Sequence, residues 1–195
     1  MRAVGYGAPP PDAHLYSVTC GAVSAGFFWL NPAAVPVPTG GPSAAVLAQR
    51  AYRVLVLATP VIGMSPGPGV AQLVRVPTWL WLDPGVWGPR SATVAVPGLS
   101  ATVTAVPVRV VWSMGDGTTV VCAGPGTPFT AGRSNPYAAS PDCGHTYTRA
   151  GPVTVTATVA WRVRWAGGGT GGVLPPLVSA SSVDLRVVEA QAVNR

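Results

Sequence analysis

Ser65 stands at the centre of Gly63-Met64-Ser65-Pro66-Gly67, the spacing that serine hydrolases use to lift a nucleophile onto a sharp turn between a strand and a helix. Pro66-Gly67-Pro68-Gly69 follows, and such a run does not open a helix, so a turn is expected here instead. Gly167, Gly169 and Gly172 fit the dinucleotide fingerprint. Pro175 and Pro176 come next, where a crossover helix would have to begin, so the segment reads as a hairpin loop. Cys122, Cys143 and His145 could be imagined around zinc, but the set lacks a fourth ligand and matches no finger spacing. Asp116 could be imagined in a calcium site, but calcium needs several oxygens and the chain has only six acids. Asp116, Asp142 and His145 could also make an acid–base set, although turns and caps are the commoner use of such residues. All twelve basic residues are arginine. Without lysine there is neither a Walker-type phosphate loop nor Schiff-base chemistry. The expectation is therefore no catalytic group, no metal, no cofactor and no nucleotide.

The elements that must hold these residues are set by composition. The chain has 195 residues, 24 of them Gly and 22 Pro, with 48% hydrophobic and 9% charged. That much apolar surface can bury a core, while that much Gly and Pro breaks most helices. No apolar run approaches the roughly 18–20 residues of a bilayer span. The net charge of +6 permits attraction to nucleic acid, anionic wall polymers or membrane surfaces. The arginines are spread along the chain, however, and the densest pair is Arg162 and Arg164. Solubility is the plain reading of that charge; a contact face at Arg162 and Arg164 is the functional one. Three cysteines allow at most one intrachain disulfide. Cys122 and Cys143 bracket an aperiodic loop; a bridge there would stabilise by about 3 kcal/mol on the chain-entropy model, and two buried thiols are the alternative.

Residues 1–42 carry little period and read as an irregular arm, with short strands at Tyr16–Cys20 and Phe27–Trp29 and a Pro-rich linker from Pro32 to Pro42. Residues 43–57 are the one helix candidate: Ala44, Leu47, Ala48, Ala51, Val54 and Leu55 form a stripe, Ser43 can cap it, and Pro60 limits it. From Pro60 to residue 190 the period is two. Strands are expected at Val61–Met64, Gln72–Val76, Thr78–Leu82, with Trp79 and Trp81 on one face, and Ala92–Val96. Ala101–Trp112 changes parity beside Pro107, with Val103 and Ala105 matching first and Val106, Val108, Val110 and Trp112 matching from Val106 on, as at a bulge or edge bend. Residues 153–165 alternate most clearly: Val153, Val155, Ala157, Val159, Trp161, Val163 and Trp165 on one side, threonines and arginines on the other. Its partner runs through Val183, Leu185 and Val187. Many short strands with one polar face point to a mainly β fold, a β-sandwich.

Trp112-Ser113-Met114-Gly115-Asp116-Gly117, followed at a distance by His145-Thr146-Tyr147, Gly151 and a valine–threonine strand, resembles the PKD domain, an immunoglobulin-like sandwich. The resemblance covers about residues 90–190 and departs from the family at Met114 and in the long insertion between Cys122 and Cys143. The whole chain is also similar to a group of exported actinobacterial proteins that share the helix, the Pro77–Trp81 segment, the Gly-Asp-Gly turn and the paired cysteines. These resemblances imply structural roles for Trp112, Gly115, Asp116, Gly117, His145, Tyr147 and Gly151. They favour the Cys122–Cys143 disulfide and imply an extracellular or cell-envelope location. The first residues, MRAVGYGAPPPDAH, do not form the apolar core of an ordinary export signal. The expected function is a non-catalytic exported module that binds a protein or an envelope glycan or polymer. The alternatives are an arginine-mediated binder of anionic polymers (wall polymer or nucleic acid) and a subunit of an extracellular assembly in which Cys20 pairs between chains.

Overall fold

The structure is a computed structural model of the chain that describes residues 41–190 and, for the backbone alone, two N-terminal strands. It divides into two compact units, Met1–Ser43 and Ala44–Arg195. In the first, β1 (His14–Cys20) pairs antiparallel with β2 (Val23–Leu30), with a register shift between Val18 and Thr19. The expectation of an irregular arm is corrected to this extent: the two short strands are longer and hydrogen-bonded to each other. Aromatic and β-branched residues favour a strand, and pairing satisfies backbone groups that a lone strand leaves open. The side chain of Cys20 and the linker through residues 31–40 lie outside the described residues.

The second unit begins with α1 (Ala44–Val54) and continues through β3 (Ile62–Ser65), β4 (Gln72–Leu73), β5 (Pro77–Leu82), β6 (Arg90–Val96), β7 (Leu99–Ser113), β8 (Thr119–Cys122), β9 (Gly144–Thr146), β10 (Gly151–Gly167) and β11 (Thr170–Val188). The protein is thus mainly β, with one α-helix among the described residues. The larger sheet runs β4-β11-β10-β7-β6, with β8 also pairing β7; the smaller runs β3-β5-β9. No described helix is long and apolar enough to cross a membrane.

Strand β10 explains the architecture. Its Val155, Ala157, Val159, Trp161 and Val163 are buried while Arg162 and Arg164 are exposed, which is the alternation the sequence shows. The buried face carries two covers. Toward Gly151, Met64, Leu80 and Leu82 of the small sheet join the same core as Trp112 and Val155, giving a sandwich-like stack. Toward Gly167, α1 packs on β6, β7 and β10, and its Leu47, Ala48 and Ala51 are buried in one cluster with Ala101, Val103 and Ala105. The helix stripe is expected to rest on the flank of the main domain; it covers the core face itself. It ends at Val54, short of Leu57, and Val54 is 61% exposed rather than part of the stripe. The β-branched Val54 and Val56 disfavour another turn, and Leu55 and Leu57 still pack on the core beyond the helix end.

Both neighbours of β10 slip register where the cover changes. Across β7, Ala160 faces Arg109 but Trp161 faces Pro107, leaving Val108 unpaired. Across β11, Trp161 faces Leu177 and Val163 faces Leu174, so Pro175 and Pro176 fall opposite Arg162. Prolines have no N–H for the ladder and are tolerated at such bulges, which also bend the strand. The expected parity switch is present, but it falls after Pro107: Pro107 is buried and Val106 points outward.

Two more expectations change. Only Gln72 and Leu73 pair, in parallel with Val187 and Val188, because Arg75 takes a positive φ of 65° and turns the chain away from a strand through Val76. The expected glycine-rich loop shrinks to a two-residue turn at Gly168 and Gly169, with Gly167 already opposite Thr170. Strand β11 then runs on through Pro175, where a nucleotide-binding fold would need a helix.

Candidate functional site

The motif residues separated by about thirty positions meet at the end of the sandwich half. Strand β7 delivers Trp112 and the segment beyond it delivers Met114, both fully buried; the Trp112 indole N–H makes no hydrogen bond among the described residues. A tight turn follows, closed by the Met114 N–H donating to Thr118 O at 3.0 Å. Gly115 has φ 77°, and a Cβ there would sit 2.7 Å from Thr154 O, so the turn needs glycine on both counts. Asp116 Oδ1 accepts from the Thr118 N–H at 2.9 Å and from the Thr118 hydroxyl at 2.5 Å. Its Oδ2 lies 2.8 Å from His145 Nε2 on β9. Tyr147 donates its hydroxyl to Met114 O at 3.2 Å and meets the His145 ring edge-on at 4.6 Å. The turn is therefore tied from its own loop, from β9 and from the residue just beyond β9. Gly151 stands apart, opening β10 opposite Val187.

Electrostatics follow from this packing. Partial burial pushes the Asp116 carboxyl up, but the hydrogen bonds from Thr118 and His145 and the charge of His145 outweigh it and hold the group below its usual value. Burial, helped by the nearby Asp116 charge, pushes the Tyr147 phenol up to about 12. Chemically the arrangement is a tie. In a triad the imidazole uses one nitrogen for the nucleophile and the other for the acid. Here Asp116 and Thr118 both face Nε2, and the Thr118 hydroxyl is spent on Asp116.

Cys122 and Cys143 form a disulfide with Cα atoms 5.8 Å apart. Their sulfurs are bonded to each other and cannot serve as two thiolate ligands for zinc. The bridge links β8 of the large sheet to the residue before β9 of the small one. The loop it closes is folded over β5: Leu80 N–H donates to Cys143 O, Leu82 N–H to Pro125 O, and the Trp79 indole to Ala138 O at 2.7 Å. Phe129 packs edge-on to Trp79 at 5.4 Å. Asp142 holds the loop's two ends, accepting from Thr127 and Ser140. Trp79 and Trp81 do share a face, but it is the outer one; Thr78, Leu80 and Leu82 face the core.

The sequence reading missed a buried polar pair. Gln72 and Thr78 are almost wholly buried, and Thr78 Oγ1 donates to Gln72 Oε1 at 2.9 Å. Gln72 Nε2 then donates to Pro66 O at 3.0 Å and Val70 O at 3.2 Å, fixing the turn after Ser65. Ser65 itself is a strand residue opposite Trp79. Gly63 is needed because the Trp81 indole lies across it, with the ring 2.1 Å from where a Cβ would be. A threonine at core parity beside a strand glutamine was the available signal.

Arg162 and Arg164 lie far from this cluster, on the outer face of the helix-covered half. Arg162 sits opposite Val106 and Arg164 opposite Thr104, and with Val108 these residues line a shallow groove of about 330 Å³. No family model matches the chain, and no curated protein or solved structure matches it either.

Proposed function

We propose that the second unit is an immunoglobulin-like sandwich of the PKD type and that the protein works outside the cell or in its envelope as a non-catalytic binding and structural module. The observation that carries this is the fate of the polar motif: Asp116, Thr118, His145 and Tyr147 are all consumed in tying one turn to the sandwich. The bridge between Cys122 and Cys143 supports the location, since such bonds persist in oxidising compartments. The test is to treat intact host cells with a membrane-impermeant protease and to trap free thiols in each fraction. The expected result is a protease-sensitive or released protein with Cys122 and Cys143 oxidised. A protein shielded inside the cell with both thiols reduced would overturn the location, and a covalent adduct of a broad serine-reactive probe at Ser65 would overturn the non-catalytic reading. The arginine-mediated reading is favoured by one observation, the groove at Arg162 and Arg164.

A further inference from the structure

Arg109, Arg162 and Arg164 occupy successive places on the outer face of β7 and β10. Arg109 is opposite Ala160, and Arg162 and Arg164 come two and four residues further along β10. Same-face neighbours on a strand are about 6.6 Å apart, so the three positions form a row of roughly 13 Å along the strand. All three side chains are exposed, and none makes a hydrogen bond or ion pair among the described residues. The nearest acid on this face along the β10–β11 hairpin is Asp184, opposite Thr154 and itself engaged by the Thr154 hydroxyl at 2.7 Å. Eight residues of extended strand, about 26 Å, separate it from Arg162. Between the guanidinium groups the surface is aliphatic or hydroxylated. Val106 is 44% exposed, Thr104 and Val108 line the groove, and Val173, opposite Arg164, is 70% exposed.

We infer that this row is a binding site for an anionic polymer of phosphodiester-linked polyol units. Regularly recurring phosphates would each meet a planar guanidinium, which can donate two parallel hydrogen bonds to one phosphate. The short carbon segments between them would lie on the valines and Thr104. Nucleic acid has the same linkage but needs a stacking platform for its bases. Trp161 and Trp165, the aromatics of β10, alternate with the arginines and so lie on the opposite face. The inference rests on the proposed extracellular module and names what its exposed sheet binds.

The test measures binding of the full chain to soluble poly(glycerol phosphate) by calorimetry across a salt series. The wild type should bind with a log–log salt slope of about −2, from three contacts at about 0.7 each. Arg162→Gln/Arg164→Gln should weaken binding about tenfold or more with an unchanged thermal midpoint. Arg162→Lys/Arg164→Lys should recover only part of that loss, because it keeps charge but loses the fork. Arg133→Gln/Arg149→Gln, outside the row, should stay within about twofold of the wild type. Equal binding by Arg162→Gln/Arg164→Gln, equal loss in the control, or no binding of the wild type at low salt would overturn the site. Tighter binding of polygalacturonate or of a single-stranded oligonucleotide would overturn the ligand class. The protease test of location uses intact cells and no polymer, so the two failures are distinguishable.

Discussion

The two halves of the large sheet share strands β7, β10 and β11 but use their outer faces differently. In the sandwich half, polar side chains are paired across strands: Thr154 with Asp184 at 2.7 Å and Thr156 with Ser182 at 2.8 Å. In the helix-covered half Thr93 and Thr102 pair likewise at 2.8 Å, but the cross-strand neighbours of Arg162 and Arg164 are Val106 and Thr104, and the guanidinium groups make no hydrogen bond or ion pair among the described residues. The inner faces differ in the same sense. One half is sealed by a second sheet, a disulfide and a hydrogen-bonded turn; the other is closed by a single helix resting on small residues, Ala101 and Ala105. The slips on both sides of Trp161 mark the border. Where polar groups satisfy one another, little recognition capacity is left, so under the proposed function the disulfide-linked half is the scaffold and the arginine-bearing half the working surface.

The largest expected effect is at the core of the scaffold. Trp112 is fully buried, and Trp112→Ala should cost about 3–5 kcal/mol in urea unfolding. Leu47, also fully buried, belongs to the helix cover, and Leu47→Ala should cost about 2–4 kcal/mol. Hydrogen exchange separates the two. Leu47→Ala should expose amides of β6 and of the β7 segment paired with it while leaving β8 and β9 protected. Equal loss of protection in both halves would show a single cooperative unit and remove the distinction.

Next in size is the bridge. Cys122 and Cys143 are 21 residues apart, and replacing both by serine should cost about 3 kcal/mol. The damage should be confined to the scaffold half, where the loop covers Trp79. Its indole fluorescence should therefore shift toward that of exposed tryptophan, while the binding proposed at Arg162 and Arg164 is retained. Loss of binding in a variant that remains folded would mean that the two halves are coupled.

What the sequence disclosed follows the range of the forces involved. Strand β10 was legible because its alternation extends over many residues and β-branched side chains suit no other element. The bulge at Val108 was legible because Pro107 interrupts a parity count. The extent of strand after Gln72 was not, since nothing local announces that Arg75 will adopt a left-handed conformation; its N–H is held by Tyr147 O from a distant segment. The same holds for the folded loop over β5, whose order depends on Phe129 finding Trp79. For the site, residue types and order suggested that Trp112, Asp116, His145 and Tyr147 belong together. Which imidazole nitrogen is engaged, and that Thr118 completes the tie, required geometry. That Arg162 and Arg164 meet no acid among the described residues was foreshadowed only by the scarcity of acids.

The smallest effects are pH-dependent, and they too fall on one half. The folded Asp116 carboxyl titrates below its unfolded value of about 3.9. Its contribution is therefore present above that value and lost as pH falls through the folded pKa. Tyr147 is displaced the other way, to about 12. Its contribution is complete below the unfolded value of about 10 and is lost as pH rises from there through the folded pKa. Asp116→Asn should flatten the acid limb of urea-measured stability, and Tyr147→Phe the alkaline one, the latter also costing about 1 kcal/mol at neutral pH for the lost bond to Met114 O. Following phenolate absorbance along with amide exchange at rising pH locates the event. Opening should begin around β9 and the Gly115–Gly117 turn while α1 stays protected. If α1 loses protection first, the helix-covered half is the one that opens at high pH, and the alkaline limb does not arise at Tyr147.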